Sequence, residues 1–116
     1  MEIKRLVDVD FDVIRYGTVF RFPGGWPYED TVDFLLTYLP VCERESALVV
    51  ATGHKAGLLA VMLPEEAGCD NAKGSGVSRN WITENWKKWV WPDCLVDDVY
   101  VINRYDVPTL ATISGK

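Results

Sequence analysis

Two continuous apolar runs constrain this chain more than any other feature: Ala47-Leu-Val-Val-Ala-Thr52 and Gly57-Leu-Leu-Ala-Val-Met-Leu63, joined by Gly53-His-Lys-Ala-Gly57. Each has the length of one strand, and the glycines at either end of the link let the chain reverse into an antiparallel hairpin. Residues that stay apolar without alternating need cover on both faces, which places such runs at the centre of a sheet.

The preceding segment, Asp30 to Leu39, satisfies two periods at once. Val32, Leu35, Leu36 and Leu39 fit a helix, while Val32, Phe34 and Leu36 fit a strand. Its neighbours favour the strand, which makes the region a three-stranded antiparallel meander. Upstream, Thr18-Val-Phe-Arg-Phe22 behind Gly17 reads as a further strand. Pro23-Gly-Gly-Trp-Pro27 then forces a turn, since both glycines can adopt positive φ and both prolines interrupt pairing. Near the start, Val7, Val9, Phe11 and Val13 alternate with Asp8, Asp10 and Asp12, the pattern of a strand face. Aspartate is a weak strand former, so a loop remains open there.

Beyond Pro64, Glu65 to Val77 is polar and carries Gly68, Gly74 and Gly76, which predicts a mobile surface loop. Ser78 then suits the N-cap of a helix over about residues 79–90, with Ile82, Trp86, Trp89 and Val90 along one stripe. Pro92 stops that helix, Asp93 to Asp98 forms an acidic link, and Val99-Tyr-Val-Ile102 supplies a last strand before a less structured tail. The expected fold is α+β: mainly an antiparallel meander with one tryptophan-rich amphipathic helix packed on it. Residues 1–116 are expected to form a single domain.

Charge narrows the partners. Asp plus Glu number 17 against 12 Lys plus Arg, a formal net charge of -5. Phosphate binding needs a positive field, so a nucleic acid is not expected and a basic protein is favoured. Cys42, Cys69 and Cys94 are odd in number and form no CxxC pair, which reads as buried free thiols. No apolar run is long enough for a signal peptide or a membrane span, so a cytoplasmic location and no membrane partner are expected.

Candidate chemistry is sparse. His54 is the sole histidine and sits in a turn without a sequence-evident nucleophile or orienting group, so a general-base role is disfavoured. Gly53-His-Lys-Ala-Gly57 is not a GxxxxGK[ST] phosphate loop. Glu29 with Asp30, Glu65 with Glu66 and Asp97 with Asp98 are adjacent carboxylates, which point to opposite faces of a strand and read as solvated surface. Asp8, Asp10 and Asp12 lack the glycine and distal acid of a calcium loop. No catalytic, cofactor or metal site is therefore predicted. Among the tryptophans, Trp86 and Trp89 are assigned to the core, whereas Trp81 and Trp91, toward the two ends of the helix, suit partly exposed interface anchors.

Gly17-Thr-Val-Phe-Arg-Phe-Pro-Gly24, Trp26-Pro-Tyr-Glu-Asp30, Thr52-Gly-His-Lys-Ala-Gly57, Leu63-Pro-Glu-Glu66, Trp81-Ile-Thr-Glu-Asn-Trp86 and Trp89-Val-Trp-Pro-Asp-Cys94 form an ordered series. In that order they resemble the forty-fifth immunity-protein family of bacterial polymorphic toxin systems, from Gly17 to Tyr105. The tryptophan-rich segment with Asp97-Asp98-Val-Tyr100 is its most specific part. The chain departs at His54, where the family commonly carries tyrosine. The resemblance implies a small cytoplasmic protein, encoded beside a toxin, that binds the toxin's C-terminal domain and has no enzymatic activity.

On that basis a monomer is expected to meet a basic toxin domain through Asp97, Asp98, Asp93, Trp91, Glu29 and Asp30. Two rivals stay in view: a small hydrolase or transferase using His54 with a carboxylate, and a structural subunit whose tryptophans lie in a permanent interface.

Overall fold

A computed structural model describes residues 3–26, 28–39, 46–71 and 74–103. Cys42, Pro27 and the tail past residue 103 lie outside the described residues. In chain order the strands are β1 (Ile3–Arg5), β2 (Val13–Arg15), β3 (Val19–Pro23), β4 (Thr31–Tyr38), β5 (Ser46–Val50), β6 (Leu59–Met62), β7 (Gly68–Asn71), β8 (Gly74–Ser78) and β9 (Tyr100–Ile102). The helix α1 (Arg79–Asn85) stands between β8 and β9. Six strands form an antiparallel sheet in the order β1-β9-β3-β4-β5-β6, and β2-β8-β7 form a second, smaller one.

The pleat of β3 and β4 explains where the core sits. Phe20 lies opposite Phe34 and Phe22 opposite Val32, so these four side chains share one face, and all are buried. Leu36 continues that face, and Leu48 and Val50 extend it onto β5. The meander read from the apolar runs is therefore present as β4-β5-β6, with the segment from Asp30 to Leu39 as a strand. Its two later runs differ, however. Ser46, Ala47, Leu48 and Val50 of β5 are buried, whereas β6 is an edge strand, and its first residue Leu59 and the preceding Leu58 are exposed.

Ser78 caps the helix as expected, its Oγ accepting the Trp81 N–H at 3.3 Å. Ile82 and Trp86, one α-turn apart, are buried, and the Trp86 ring packs against Phe20 and Phe22 at centroid distances of 5.6 and 5.2 Å. Beyond Asn85 the spiral widens: over Trp86–Val90 it runs as a π turn, closed by Trp91 N–H to Trp86 C=O at 3.0 Å. The extra residue rotates Trp89 off the buried stripe. It ends half-buried beside Trp81, ring centroids 6.0 Å apart, which corrects its assignment to the core.

Two further expectations are corrected. The segment Glu65 to Val77 is not a loop: a 3-10 turn at Glu65–Ala67 leads into the β7–β8 hairpin, and Ala67 and Val77 are buried. Gly76 is there for close approach, since a Cβ would run into the Ile14 carbonyl of β2 across the strand pair. The aspartate-punctuated stretch takes the loop alternative. Leu6–Asp8 is a 3-10 turn, tied by Leu6 N–H to Val99 C=O at 2.8 Å, and the Asp12 C=O accepts the Arg79 N–H at 2.9 Å.

Candidate functional site

The β3–β4 connection is a compact turn. Gly24 N–H donates to Asp30 C=O at 2.8 Å, and Tyr28 N–H to Gly25 C=O at 2.7 Å. Neither Gly24 nor Gly25 adopts the positive φ anticipated for them. What Gly24 needs is room, because a Cβ there would collide with the Val32 side chain and the Glu29 carbonyl. A chain so tightly reversed cannot fold an indole back beneath itself, and Trp26 stands 95% exposed at the tip.

Behind the tip the turn is braced by aromatic packing. The Tyr28 ring meets Trp91 at 5.1 Å and Phe34 at 6.3 Å, and Trp91 in turn meets Phe22 at 5.1 Å and Phe34 at 6.1 Å. Trp91 is thus a half-buried part of this aromatic cluster, with only its remaining edge facing solvent. Lys55 Nζ lies 5.6 Å from the centre of the Tyr28 ring, a cation–π distance.

The β5–β6 turn is latched to the same place. Glu29 Oε1 lies 2.8 Å from His54 Nδ1 and accepts the His54 backbone N–H at 3.2 Å. These two bonds, the ring's first, hold the Glu29 carboxyl below its ordinary value. Gly53 makes the latch fit: its φ is +71°, and any side chain there would occupy the Glu29 carboxylate's position. The pairing gives His54 the orienting carboxylate that the sequence did not reveal. It also engages one oxygen of a group expected to face a partner.

The other expected contact residues divide between two places. Asp30 is exposed and follows Glu29 in the chain, next to Tyr28, whose ring meets Trp91. Asp97 and Asp98 are exposed on a separate 3-10 turn at Val96–Asp98, near Arg5. The Arg5 guanidinium bonds Asp8 at 3.0 Å and is held above its ordinary value chiefly by that bond and charge, with a smaller push from Asp97. Asp93 is exposed on the link between the two groupings. Next to it Cys94 is buried, and its thiol is pushed up by burial first and by the Asp98 charge second. Trp81 is half-buried beside Trp89.

The residue that sequence reading passed over is Trp26. Its signal was present, since an indole between Gly25 and Pro27 in a forced turn has little backbone around it to supply cover. Among the described residues no group of three or more His, Cys, Asp or Glu is placed to hold a metal ion. No helix among them is long and apolar enough to cross a membrane.

An exposed indole on a braced turn, flanked by carboxylates, is the kind of surface on which protein interfaces are centred. The Immunity protein 45 family matches residues 6–101, and the chain belongs to that family. No curated protein and no solved structure matches it.

Proposed function

We propose that this protein is a stoichiometric inhibitor of a cognate bacterial toxin, binding the toxin's basic C-terminal domain in the cytoplasm as a monomer. Family membership supports the immunity role. The observation that carries the contact surface is Trp26, almost wholly solvated on a turn that packing and hydrogen bonds hold rigid. A turn whose backbone is held before binding leaves only the indole's own rotamers to be fixed when it enters a partner's pocket. Close to it in the chain Asp30 and Glu29, and on separate segments Asp93, Asp97 and Asp98, supply negative charge, while Trp91 adds an aromatic surface. A net charge of -5 would speed encounter with a basic domain, and a nuclease, whose cleft must attract phosphate, suits that sign.

Co-expression with the C-terminal domain of the toxin encoded beside this gene tests the reading. The wild-type chain should co-purify with that domain at one-to-one stoichiometry and protect the cell. Trp26→Ala should weaken capture by about tenfold or more, as truncation of a central aromatic anchor does. A wild-type chain that fails to bind the domain at micromolar concentration would overturn the proposal.

The Glu29–His54 pair favours one second reading, a hydrolase or transferase with His54 as general base. That reading requires His54→Ala to abolish a measurable turnover, whereas inhibition by binding survives the same substitution.

A further inference from the structure

At the opposite end of β4 from Trp26, the two sheets part around a cleft of about 610 Å³. Tyr16 and Tyr38 form one wall, their rings edge-to-face at 5.5 Å, and the Tyr16 hydroxyl lies 2.9 Å from Ser46 Oγ. Small residues, Gly68, Ser75 and Gly76, line it as well and bring little volume to fill it. Two carboxylates border it, Glu65 and Asp70, both exposed. One Asp70 oxygen accepts the Ser75 hydroxyl at 2.8 Å, which fixes the carboxylate. No Lys, Arg or His lines the cleft among the described residues, and neither carboxylate has a cationic partner among them.

Aromatic rings, a fixed acceptor and two carboxylates, with no cation among the described lining residues, select a planar cation. Arginine fits all three, since its guanidinium stacks on aromatic rings and donates in a fork to carboxylates. A phosphate or a free carboxylate would be repelled by the two carboxylates, and a purely apolar group would gain nothing from them. We propose that this cleft receives an arginine side chain presented by the toxin domain, a second contact distinct from the Trp26 turn. The identity of the partner rests on the inhibitor reading above, but the cleft's preference for a guanidinium does not.

Two measurements on the full chain separate these dependencies. In the first, Nα-acetyl-arginine amide is titrated at millimolar concentration into the isotope-labelled protein while backbone amide shifts are followed. Shifts confined to Gly68, Cys69, Asp70, Ser75 and Gly76, lost in the E65Q/D70N double variant and not produced by Nα-acetyl-norleucine amide, are the expected result. An absence of localised shifts, equal shifts from norleucine amide, or shifts that persist in the double variant would overturn the proposal.

In the second, affinity for the C-terminal domain of the neighbouring toxin is compared between wild type and E65Q/D70N. The double variant should bind about tenfold or more weakly. Equal binding by both proteins removes the cleft from the interface and leaves the inhibitor reading standing. Failure of the wild type to bind at all removes the inhibitor reading, and the arginine-amide titration then decides the cleft alone.

Discussion

Roughly 23 Å of strand separates the two ends of β4, and aromatic side chains do different work at each. Beside Thr31, the rings of Tyr28, Phe34, Phe22 and Trp91 fill the volume beneath the β3–β4 turn, so that Trp26 stands on a solid support. Beside Tyr38, the two tyrosine rings meet edge-to-face and one bonds a serine hydroxyl, and the neighbouring strands bring glycine and serine rather than large side chains. One end is a knob and the other a recess. The difference lies less in the aromatic residues than in what the neighbouring strand supplies to cover them: volume makes a platform, and smallness makes a cleft.

Trp91→Ala should have the largest effect, because it removes the ring that joins Tyr28, Phe22 and Phe34. A loss of about 3 kcal/mol in urea denaturation is expected, with the turn around Trp26 loosened as well. A loss below about 1 kcal/mol would show that the platform is not built on this indole. At the recess, Tyr16→Phe deletes only the hydroxyl bonded to Ser46 and should lower stability by about 1 kcal/mol, since the ring contact with Tyr38 stays. A loss as large as that from Trp91→Ala would mean that the two ends do not differ in packing as described.

Trp26→Ala should change stability by no more than about 0.5 kcal/mol, because an almost fully solvated side chain has little folded-state packing to lose. The contrast between two tryptophans in the same aromatic neighbourhood, one structural and one displayed, is readable from paired denaturation curves.

The smallest effect concerns the latch between the turns. Since the folded-state value of the Glu29 carboxyl is lowered by His54, its contribution to stability is complete above the ordinary glutamate value. That contribution disappears as the pH falls through the lowered one. Side-chain carboxyl shifts followed by NMR should show Glu29 titrating below its ordinary value, and His54→Ala should return it toward that value. An unchanged titration in the variant would remove the latch from the account.

Sequence alone made the platform end more legible than the recess. The strands β3, β4 and β5, the Ser78 cap and the buried pair Ile82 and Trp86 all follow from local periodicity, which is set by residues a few positions apart. The β7–β8 hairpin does not, because Gly76 is explained by β2, a strand some sixty residues earlier, and nothing local distinguishes it from a loop glycine. Asp33 was hidden for the same reason. It sits in an apolar strand with a side chain only 1% exposed, made tolerable by a fork of bonds from Arg21 at 2.7 and 2.9 Å, its register partner on β3. Among the contact candidates, Asp30, Asp93, Asp97 and Asp98 are exposed as acidic surface residues should be. The engagement of Glu29 by His54 and of Trp91 by three other rings required the three-dimensional arrangement.

The widened last turn of the helix has an evolutionary corollary. With five residues in the circuit from Trp86 to Trp91, the backbone chooses which indole joins the platform and which stays outside beside Trp81. A relative one residue shorter in this stretch would close into a regular spiral and exchange those positions. Such an insertion or deletion would remodel the displayed surface while the amino-acid inventory stayed almost constant, a means of diversifying partner choice that a comparison of composition would overlook.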